Sequence, residues 1–264
     1  MYLPARRWRR VVAQTGFPEP VLGIVSMFRV LVANSKGGCG KTTLTTTLAG
    51  YFARSGRYTS LIDCDPQGSS LAWCAQRAKH LAPVHALASN DPSYGLSSGW
   101  VLRIPAKTEV LLIDTPAGLR SHEFAQFARH ADALVIPVIP SPIDLRATLV
   151  FIDGVRKLDE VRKGRLRVAM IANRLRERTL SARQLDSTLG RLTEAAMARV
   201  RDSQTYVGLA DHGQCVFDND SKAVLAHRED WTPLIQWLER RATERKPDGN
   251  VTPLVTPGQR FGHE

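Results

Sequence analysis

Residues 34–43 read NSKGGCGKTT, a glycine-rich stretch that carries two lysines, Lys36 and Lys41, five positions apart. Glycines allow the backbone to turn tightly, so that its N–H groups converge on the oxygens of a phosphate. A lysine at the end of such a loop adds positive charge to the β- and γ-phosphates, and the hydroxyl of Thr42 can bind Mg²⁺. The stretch therefore predicts a phosphate-binding loop. One lysine suffices for that task, so the second lysine needs another explanation.

Two further stretches place acidic side chains directly after apolar runs. LIDCDPQGSS (61–70) carries Asp63 and Asp65, and VLLIDTPAG (110–118) carries Asp114. Either stretch alone would be weak evidence for a site, because strand ends often carry aspartate as a turn or helix cap. Their order and spacing behind a glycine-rich loop make a nucleotide site the stronger interpretation.

The chain alternates between strand and helix patterns. Short apolar runs indicate buried strands at 28–34, 58–63, 109–115, 133–138 and 167–173. Helical patterns follow at 41–54, 70–81, 121–130, 144–162 and 182–200, and a last helix starts at Thr232. Strands that alternate with helices form right-handed crossovers and a parallel sheet. We therefore expect an α/β fold with a mainly parallel, twisted sheet and helices on both faces.

The two ends of the chain differ from its middle. Residues 1–27 begin with basic residues, but Pro18 and Pro20 interrupt any signal-peptide core. This segment is expected to be a flexible basic extension or to lie upstream of a natural start at Met27. The segment 246–264 is rich in proline and glycine and is expected to be disordered. We expect one folded domain over 28–245.

Composition narrows the class of protein and the kind of partner. The four cysteines show no metal-binding spacing and are typical of reduced cytosolic thiols, and no apolar run approaches the ~20 residues that span a bilayer. The chain has 36 Lys and Arg against 25 Asp and Glu, a formal net charge of +11. Such a balance favours an anionic partner, either nucleic acid or an acidic membrane surface. A merely well-solvated basic surface is the alternative.

The motifs together resemble those of the ParA/MinD superfamily of deviant Walker A ATPases, over about residues 28–240. Ser35 occupies the first glycine of the generic P-loop pattern, but KGGCGKTT is the tighter pattern of this family. In the family the early lysine, here Lys36, is a signature lysine that crosses a dimer interface to the partner's nucleotide. The resemblance implies ATP and Mg²⁺ as cofactors and a homodimer that forms with ATP. Contact of Lys36 with the phosphates of its own chain is the alternative.

The resemblance also implies roles for individual residues. The nucleotide-binding residues are then Lys36, Gly37, Gly38, Cys39, Gly40, Lys41, Thr42, Thr43 and, at an adenine-contacting position, Asn173. The metal is expected at Thr42, at Asp63 through its water shell and at Asp114 as the Walker B acid. The catalytic residues are Lys36, Lys41 and Asp65, where Asp65 orients the attacking water. Hydrolysis is expected to be slow, because no arginine finger can be assigned from the sequence.

Other branches of the superfamily fit the sequence less well. Only Cys215 follows Asp114, whereas nitrogenase-type iron proteins need two cysteines there. Arsenite-pump ATPases carry two loops in one chain, and tyrosine kinases of this fold end in a tyrosine cluster, but the last tyrosine here is Tyr206. The segment 246–264 has no amphipathic pattern of the kind that anchors MinD to membranes. A short ParA-type protein, without the N-terminal helix-turn-helix domain of longer members, fits best, and we expect no membrane partner.

DNA is then the expected anion. Between Phe151 and Arg201 the chain has thirteen Lys and Arg residues against six acids. The family binds non-specific double-stranded DNA with basic residues on the C-terminal side of its ATP-bound dimer, and the candidates in this region are Arg174, Arg176, Arg178, Arg183, Arg191 and Arg201. A solvated helix face is the alternative for these arginines.

The sequence is thus expected to encode a cytoplasmic, nucleoid-associated partition or positioning ATPase. An adaptor protein would stimulate hydrolysis and release the DNA, and the cargo would be a plasmid, a chromosome or a protein assembly. A nucleotide-dependent switch that acts on protein partners without DNA is the alternative function.

Overall fold

The computed structural model describes residues 27–88, 104–176, 179–189 and 198–244. All of the predicted N-terminal extension except Met27, and all of the predicted tail, lie outside these residues. The domain boundaries therefore stay predictions. In the described part of the chain, no helix is both long and apolar enough to cross a bilayer.

Seven parallel strands form one sheet within the described residues. In chain order they are β1 (Phe28–Val32), β2 (Thr59–Asp63), β3 (Val84–Ala88), β4 (Val110–Asp114), β5 (Ala133–Val138), β6 (Arg167–Leu175) and β7 (Arg199–Arg201). The spatial order is β3-β2-β4-β1-β5-β6-β7, so β1 lies in the centre. The predicted parallel α/β fold is confirmed.

Nine helices connect or follow these strands in the described residues. They are α1 (Lys41–Arg54), α2 (Ser69–Gln76), α3 (Ser121–Arg129), α4 (Pro142–Arg156), α5 (Asp159–Arg162), α6 (Leu180–Leu189), α7 (Gln204–Ala210), α8 (Lys222–Glu229) and α9 (Thr232–Glu244). Helices α1, α2 and α7–α9 pack on one face of the sheet, and α3, α4 and α6 pack on the other. Strands covered on both faces explain why their sequences are apolar almost throughout.

Helix α1 starts where the glycine-rich loop ends, and its packing fixes the position of that loop. Leu44, Leu48 and Phe52 recur at helical spacing and are fully buried, which stabilises the fold by about 1.5–3 kcal/mol for each side chain. The helix also contains five threonines, whose β-branched side chains lower helix propensity. Packing against the sheet, rather than intrinsic propensity, therefore holds α1 in place.

The register of the central strands brings the two predicted acidic stretches together. Asp63 ends β2 and is the register partner of Asp114, which ends β4. Asp114 is in turn the partner of Val32, the last residue of β1, from which the glycine-rich loop leaves. The carboxyl ends of parallel strands form the usual ligand edge of such a sheet. All three motifs meet at this edge.

The structure corrects the sequence-based prediction in the C-terminal half. The predicted helix 182–200 is wrong at its end, because Arg199–Arg201 forms β7. Val200 is buried between two arginines, which is the alternation of a strand with one buried face. The predicted helix 144–162 is split into α4 and α5, because Leu158 is extended between them. The pattern also misses β3, whose residues at the sheet edge are only partly buried.

Candidate nucleotide-binding site

The glycine-rich loop has the shape that its sequence predicts. Gly38 and Gly40 adopt left-handed conformations, with φ of 73° and 93°, which other residues rarely adopt. The Lys41 side chain is largely buried, and its ammonium donates a hydrogen bond to the backbone oxygen of Lys36 at 3.1 Å. The Lys41 ammonium therefore lies on the loop itself, where it can neutralise phosphates held by the loop N–H groups.

The two lysines extend to different partners. The Lys36 ammonium lies 3.2 Å from Oδ1 of Asp144, at the start of α4. The Lys36 side chain is about a third exposed, at 34%, whereas Lys41 is only 7% exposed. The structure thus gives the two cations distinct places.

Asn173 braces the loop from the end of β6. It is buried, and its Nδ2 donates a hydrogen bond to the backbone oxygen of Cys39 at 2.8 Å. A Cβ placed on Gly40 would lie 2.3 Å from the same Nδ2, so only glycine fits here. The sequence-based prediction gives Asn173 an adenine contact, and that role stays a prediction. What the structure adds is a direct contact between Asn173 and the loop.

Gly40→Ala is expected to disrupt the loop, because the new Cβ would clash with Asn173 and because φ at this position is 93°. Each cause alone costs about 1–3 kcal/mol, so the thermal midpoint should fall and ATP binding should be lost. Thermal unfolding and binding of a fluorescent ATP analogue measure the two effects.

Gly56→Ala is the matched control for this substitution, since Gly56 has a similar φ of 90° but nothing within 4 Å of its Cβ position. It carries the backbone strain without the clash. Equal effects of the two substitutions would contradict the contact between Gly40 and Asn173.

Asp63 and Asp65 organise the turn between β2 and α2. Asp63 is buried, and its Oδ2 accepts hydrogen bonds from the backbone N–H groups of Ser70 and Leu71, both at 3.0 Å. Its Oδ1 accepts from the N–H of Asp65 at 3.0 Å. Asp65 is only partly buried, and its Oδ1 accepts from the N–H of Gln67. Asp63 therefore satisfies backbone N–H groups in the first turn of α2 and also fixes the turn on which Asp65 lies.

Asp114 has the features expected of an acid that binds a cation. It is 1% exposed, its Oδ1 accepts a hydrogen bond from Thr45, and within the described residues its Oδ2 is buried without a partner. Burial raises the pKa of Asp114 to about 7, the charge of Asp63 adds to this, and nearby hydroxyls, including that of Thr42, oppose it. A buried carboxylate oxygen without a partner costs free energy that a cation would remove.

These residues fit Mg²⁺, a cation that prefers oxygen ligands and keeps several of its waters. The hydroxyl of Thr42 lies beside Asp114, and Asp63 is the register partner of Asp114 on the neighbouring strand. When bound, the metal would neutralise charge on the phosphates. The protein's own contribution is to fix these oxygens at the carboxyl edge of the sheet.

Sequence reasoning missed three residues of this site. Ser70 is fully buried with an Oγ that has no partner among the described residues, close to Asp114. Asn34 binds both the loop and α4, and Asp144 binds Lys36. Serine, asparagine and aspartate are all typical turn or helix-cap residues. The sequence therefore holds no signal that would single out these three.

The structure describes the side chains of three of the predicted DNA-binding arginines, Arg174, Arg176 and Arg201. Arg174 and Arg176 are exposed near the end of β6, and Arg176 pairs with Asp202 at 2.9 Å. Arg201 lies on β7 and binds both oxygens of Asp230 at 2.7 Å. The remaining candidates, Arg178, Arg191 and the side chain of Arg183, lie outside the described part of the chain. The DNA contacts therefore stay a prediction.

Comparison with known proteins agrees with this geometry. The family model CbiA, described as the CobQ/CobB/MinD/ParA nucleotide binding domain, matches residues 30–203. The chain is 32% identical over 197 residues to the maintenance of carboxysome distribution protein A of Halothiobacillus neapolitanus, which covers 72% of this chain and 87% of that protein. It is also 43% identical to the chromosome-partitioning ATPase Soj of Thermus thermophilus, over 68 residues that make up 26% of each chain.

Solved structures share the fold at low sequence identity. An ATP complex of a Cyanothece McdA variant has a TM-score of 0.62 at 18% identity, covering 84% of this chain and 98% of that one. The cell division protein MinD of Aquifex aeolicus has a TM-score of 0.60 at 19% identity, covering 79% and 97%. With the matched family model spanning most of the described residues, the chain belongs to the CobQ/CobB/MinD/ParA family of nucleotide-binding proteins.

Proposed function

We propose that this protein is a ParA-type positioning ATPase that dimerises when it binds ATP and Mg²⁺. The dimer would bind double-stranded DNA without sequence preference, and hydrolysis stimulated by an adaptor protein would release it. Repeated binding and release would move or space a cargo over the nucleoid. No membrane partner is part of this proposal.

The separation of the two lysines is the observation that carries the proposal. The ammonium of Lys41 lies on the loop, while that of Lys36 lies outside it on Asp144. A cation outside its own phosphate site can contact the triphosphate of a second chain. Dimerisation would then depend on the nucleotide, because two positively charged sites repel one another until a triphosphate lies between them.

The arrangement of the acids supports slow hydrolysis. Asp65 is accessible on the turn after β2, where a carboxylate can orient a water against the γ-phosphate. Asp63 is buried and already accepts hydrogen bonds from three backbone N–H groups, so it is the poorer candidate for that task. If hydrolysis is slow until a partner stimulates it, the partner decides how long the ATP-bound state lasts.

The net positive charge of the chain supports DNA as the partner, although some of the basic side chains are already paired with acids. The basic region from Phe151 to Arg201 includes several ion pairs at the surface, such as Lys157 with Asp153 and Lys163 with Asp159. These paired lysines contribute little net charge. Arg174 and Arg176 are exposed beside the nucleotide edge. Arg176 also pairs with Asp202, but its side chain is 79% exposed, and we propose that both arginines belong to the DNA-binding surface.

The cargo we propose is a protein assembly of the carboxysome type. Two relatives that match over most of their own length, 87% and 89%, are named for carboxysome distribution. The relatives named Soj and ParA match over 26% and 50% of theirs. An adaptor that binds both the assembly and the ATPase would complete the system.

Retention of a random-sequence DNA duplex tests the DNA step. With ATP and Mg²⁺ the wild-type chain should retain the duplex, and with ADP it should not. Affinity should fall with salt, with a log–log slope of about −0.9 for each phosphate neutralised. Replacing Arg174 and Arg176 by alanine should weaken retention even when ATP saturates the protein.

The matched control replaces Lys157 and Lys163, which are paired lysines in the same region. The change in formal charge is the same, but these lysines lie outside the proposed DNA-binding surface, so this variant should retain the duplex nearly as well as the wild type does. If the duplex is ignored with ATP even at low salt, the protein acts on protein partners alone and the DNA step is wrong.

A further inference from the structure

Neighbouring hydrogen bonds hold the two members of the Lys36–Asp144 ion pair in position. Asp144 lies in the first turn of α4, and its backbone N–H donates to the Oγ of Ser141, the N-cap of that helix. The Lys36 ammonium lies 3.2 Å from Oδ1 of Asp144. Both side chains are partly shielded, with 34% of Lys36 and 22% of Asp144 exposed. The pair is therefore better shielded than a typical surface ion pair.

Asp144 is placed so that it stays ionised. Hydrogen bonding with Ser141 and the nearby Lys36 ammonium lower the pKa of Asp144 below its usual range. The positive end of the dipole of α4 favours a carboxylate in the first turn as well. A permanent negative charge at this point attracts the flexible, four-carbon side chain of Lys36.

The backbone N–H of Lys36 is linked to the same helix through Asn34. The N–H of Lys36 donates to Oδ1 of Asn34 at 3.2 Å. Nδ2 of Asn34 donates in turn to Thr148 on α4 at 3.1 Å and to the backbone oxygen of Pro137 on β5 at 2.7 Å. The first half of the loop and α4 thus form one hydrogen-bonded unit, and the Lys36 side chain extends along it.

The backbone oxygen of Lys36 has a different partner, the ammonium of Lys41, at 3.1 Å. The loop therefore holds one cation on its own backbone and sends the other to Asp144. Among the described residues, Asp144 is the acid that pairs with the Lys36 ammonium. Without it, a highly charged triphosphate in the chain's own loop would attract that ammonium.

We propose that Asp144 is a positioning residue that holds Lys36 away from the nucleotide of its own chain and so reserves it for the nucleotide of a second chain. This inference rests on the proposed role of Lys36 between two chains. It adds the residue that prevents a contact within one chain, and it predicts that ATP and Asp144 compete for the same ammonium.

A double-mutant cycle on the monomer tests the competition. The affinity for a fluorescent ATP analogue with Mg²⁺ is measured for the wild type, Asp144→Asn, Lys36→Ala and the double variant, at protein concentrations where sedimentation shows monomers. Asp144→Asn should bind the analogue about three- to tenfold more tightly than the wild type, because Lys36 is released to its own phosphates. In the Lys36→Ala background the same substitution should have a clearly smaller effect.

The cycle separates positioning from other roles of Asp144. Mere loss of a negative charge near the phosphates would tighten binding equally in both backgrounds, and that result would overturn the proposal, as would no change in either. Asp144→Glu keeps the carboxylate and should restore an affinity close to that of the wild type. If thermal unfolding shows that Asp144→Asn is poorly folded, Asp144→Ser replaces it, since serine also suits the first turn of a helix.

The outcome is independent of whether the chain dimerises, because the cycle uses monomers only. A positive cycle in a protein that never dimerises would retain the contact between Asp144 and Lys36 and reject the proposed function. A negative cycle in a protein that dimerises with ATP would reject this inference alone.

Discussion

Asp65→Ala is expected to lower ATP turnover by about 100-fold or more while leaving ATP binding intact. Binding depends on the loop N–H groups, on Lys41 and on Mg²⁺, whereas Asp65 forms hydrogen bonds within its own turn, with Asp63 and Gln67. Hydrolysis needs a water aligned with the γ-phosphate, and Asp65 is the accessible acid on the adjoining turn. The variant should therefore accumulate ATP-bound dimers, hold DNA persistently and respond weakly to its adaptor.

The steady-state ATPase rate and the dimer fraction, measured on the same samples, check this prediction. Asp153→Ala is the matched control, since Asp153 is an exposed acid paired with Lys157 far from the loop in sequence, and it should hydrolyse ATP at the wild-type rate. Asp114→Ala should differ from both, because loss of the buried acid weakens Mg²⁺ binding and therefore also lowers the dimer fraction. Wild-type turnover by Asp65→Ala would exclude Asp65 as the acid that orients water.

Lys36→Ala is expected to keep some ATP binding and to remain monomeric with ATP, with dimer affinity weakened about 30-fold or more. The estimate follows from the cost of removing one partner of a buried charge contact between two proteins, about 2–5 kcal/mol. Lys41 stays on the loop in this variant, so the chain's own nucleotide site survives. Sedimentation velocity with Mg²⁺ and a non-hydrolysable ATP analogue measures the dimer fraction.

Lys157→Ala is the control for the loss of a lysine, because Lys157 also forms one ion pair at a helix, with Asp153. It should dimerise as the wild type does. ATP-dependent dimers that persist in Lys36→Ala at wild-type affinity would show that Lys36 does not join the two chains.

The nucleotide edge could be predicted from the sequence because its constraints are local. The loop needs glycines at the left-handed positions Gly38 and Gly40, and the residues that follow it must begin a helix. Asp63 and Asp114 end fully buried apolar strands, a pattern that is visible without any knowledge of the fold. Parallel pairing then brings these strand ends together, so the motif order alone locates the site.

The remaining features depend on contacts between distant parts of the chain. Asn34 and Thr148 are 114 positions apart, and Cys39 and Asn173 are 134 apart, so no sequence window contains either pair. The assignment of β7 failed for a similar reason. Val200 continues the apolar face of a predicted helix, and only its pairing beside β6 makes it a strand residue. At Val200 the local apolar pattern favours a helix, whereas pairing with β6 favours a strand, and the strand forms.

The mass of the wild-type protein in solution, measured by sedimentation velocity with three nucleotide conditions, tests the central claim most directly. With Mg²⁺ and a non-hydrolysable ATP analogue the protein should sediment at twice the monomer mass, and with ADP or without nucleotide it should sediment as a monomer. This result would tie assembly to the γ-phosphate, as the separate places of Lys36 and Lys41 predict. A monomer under all three conditions, or a dimer that forms equally well with ADP, would contradict the account.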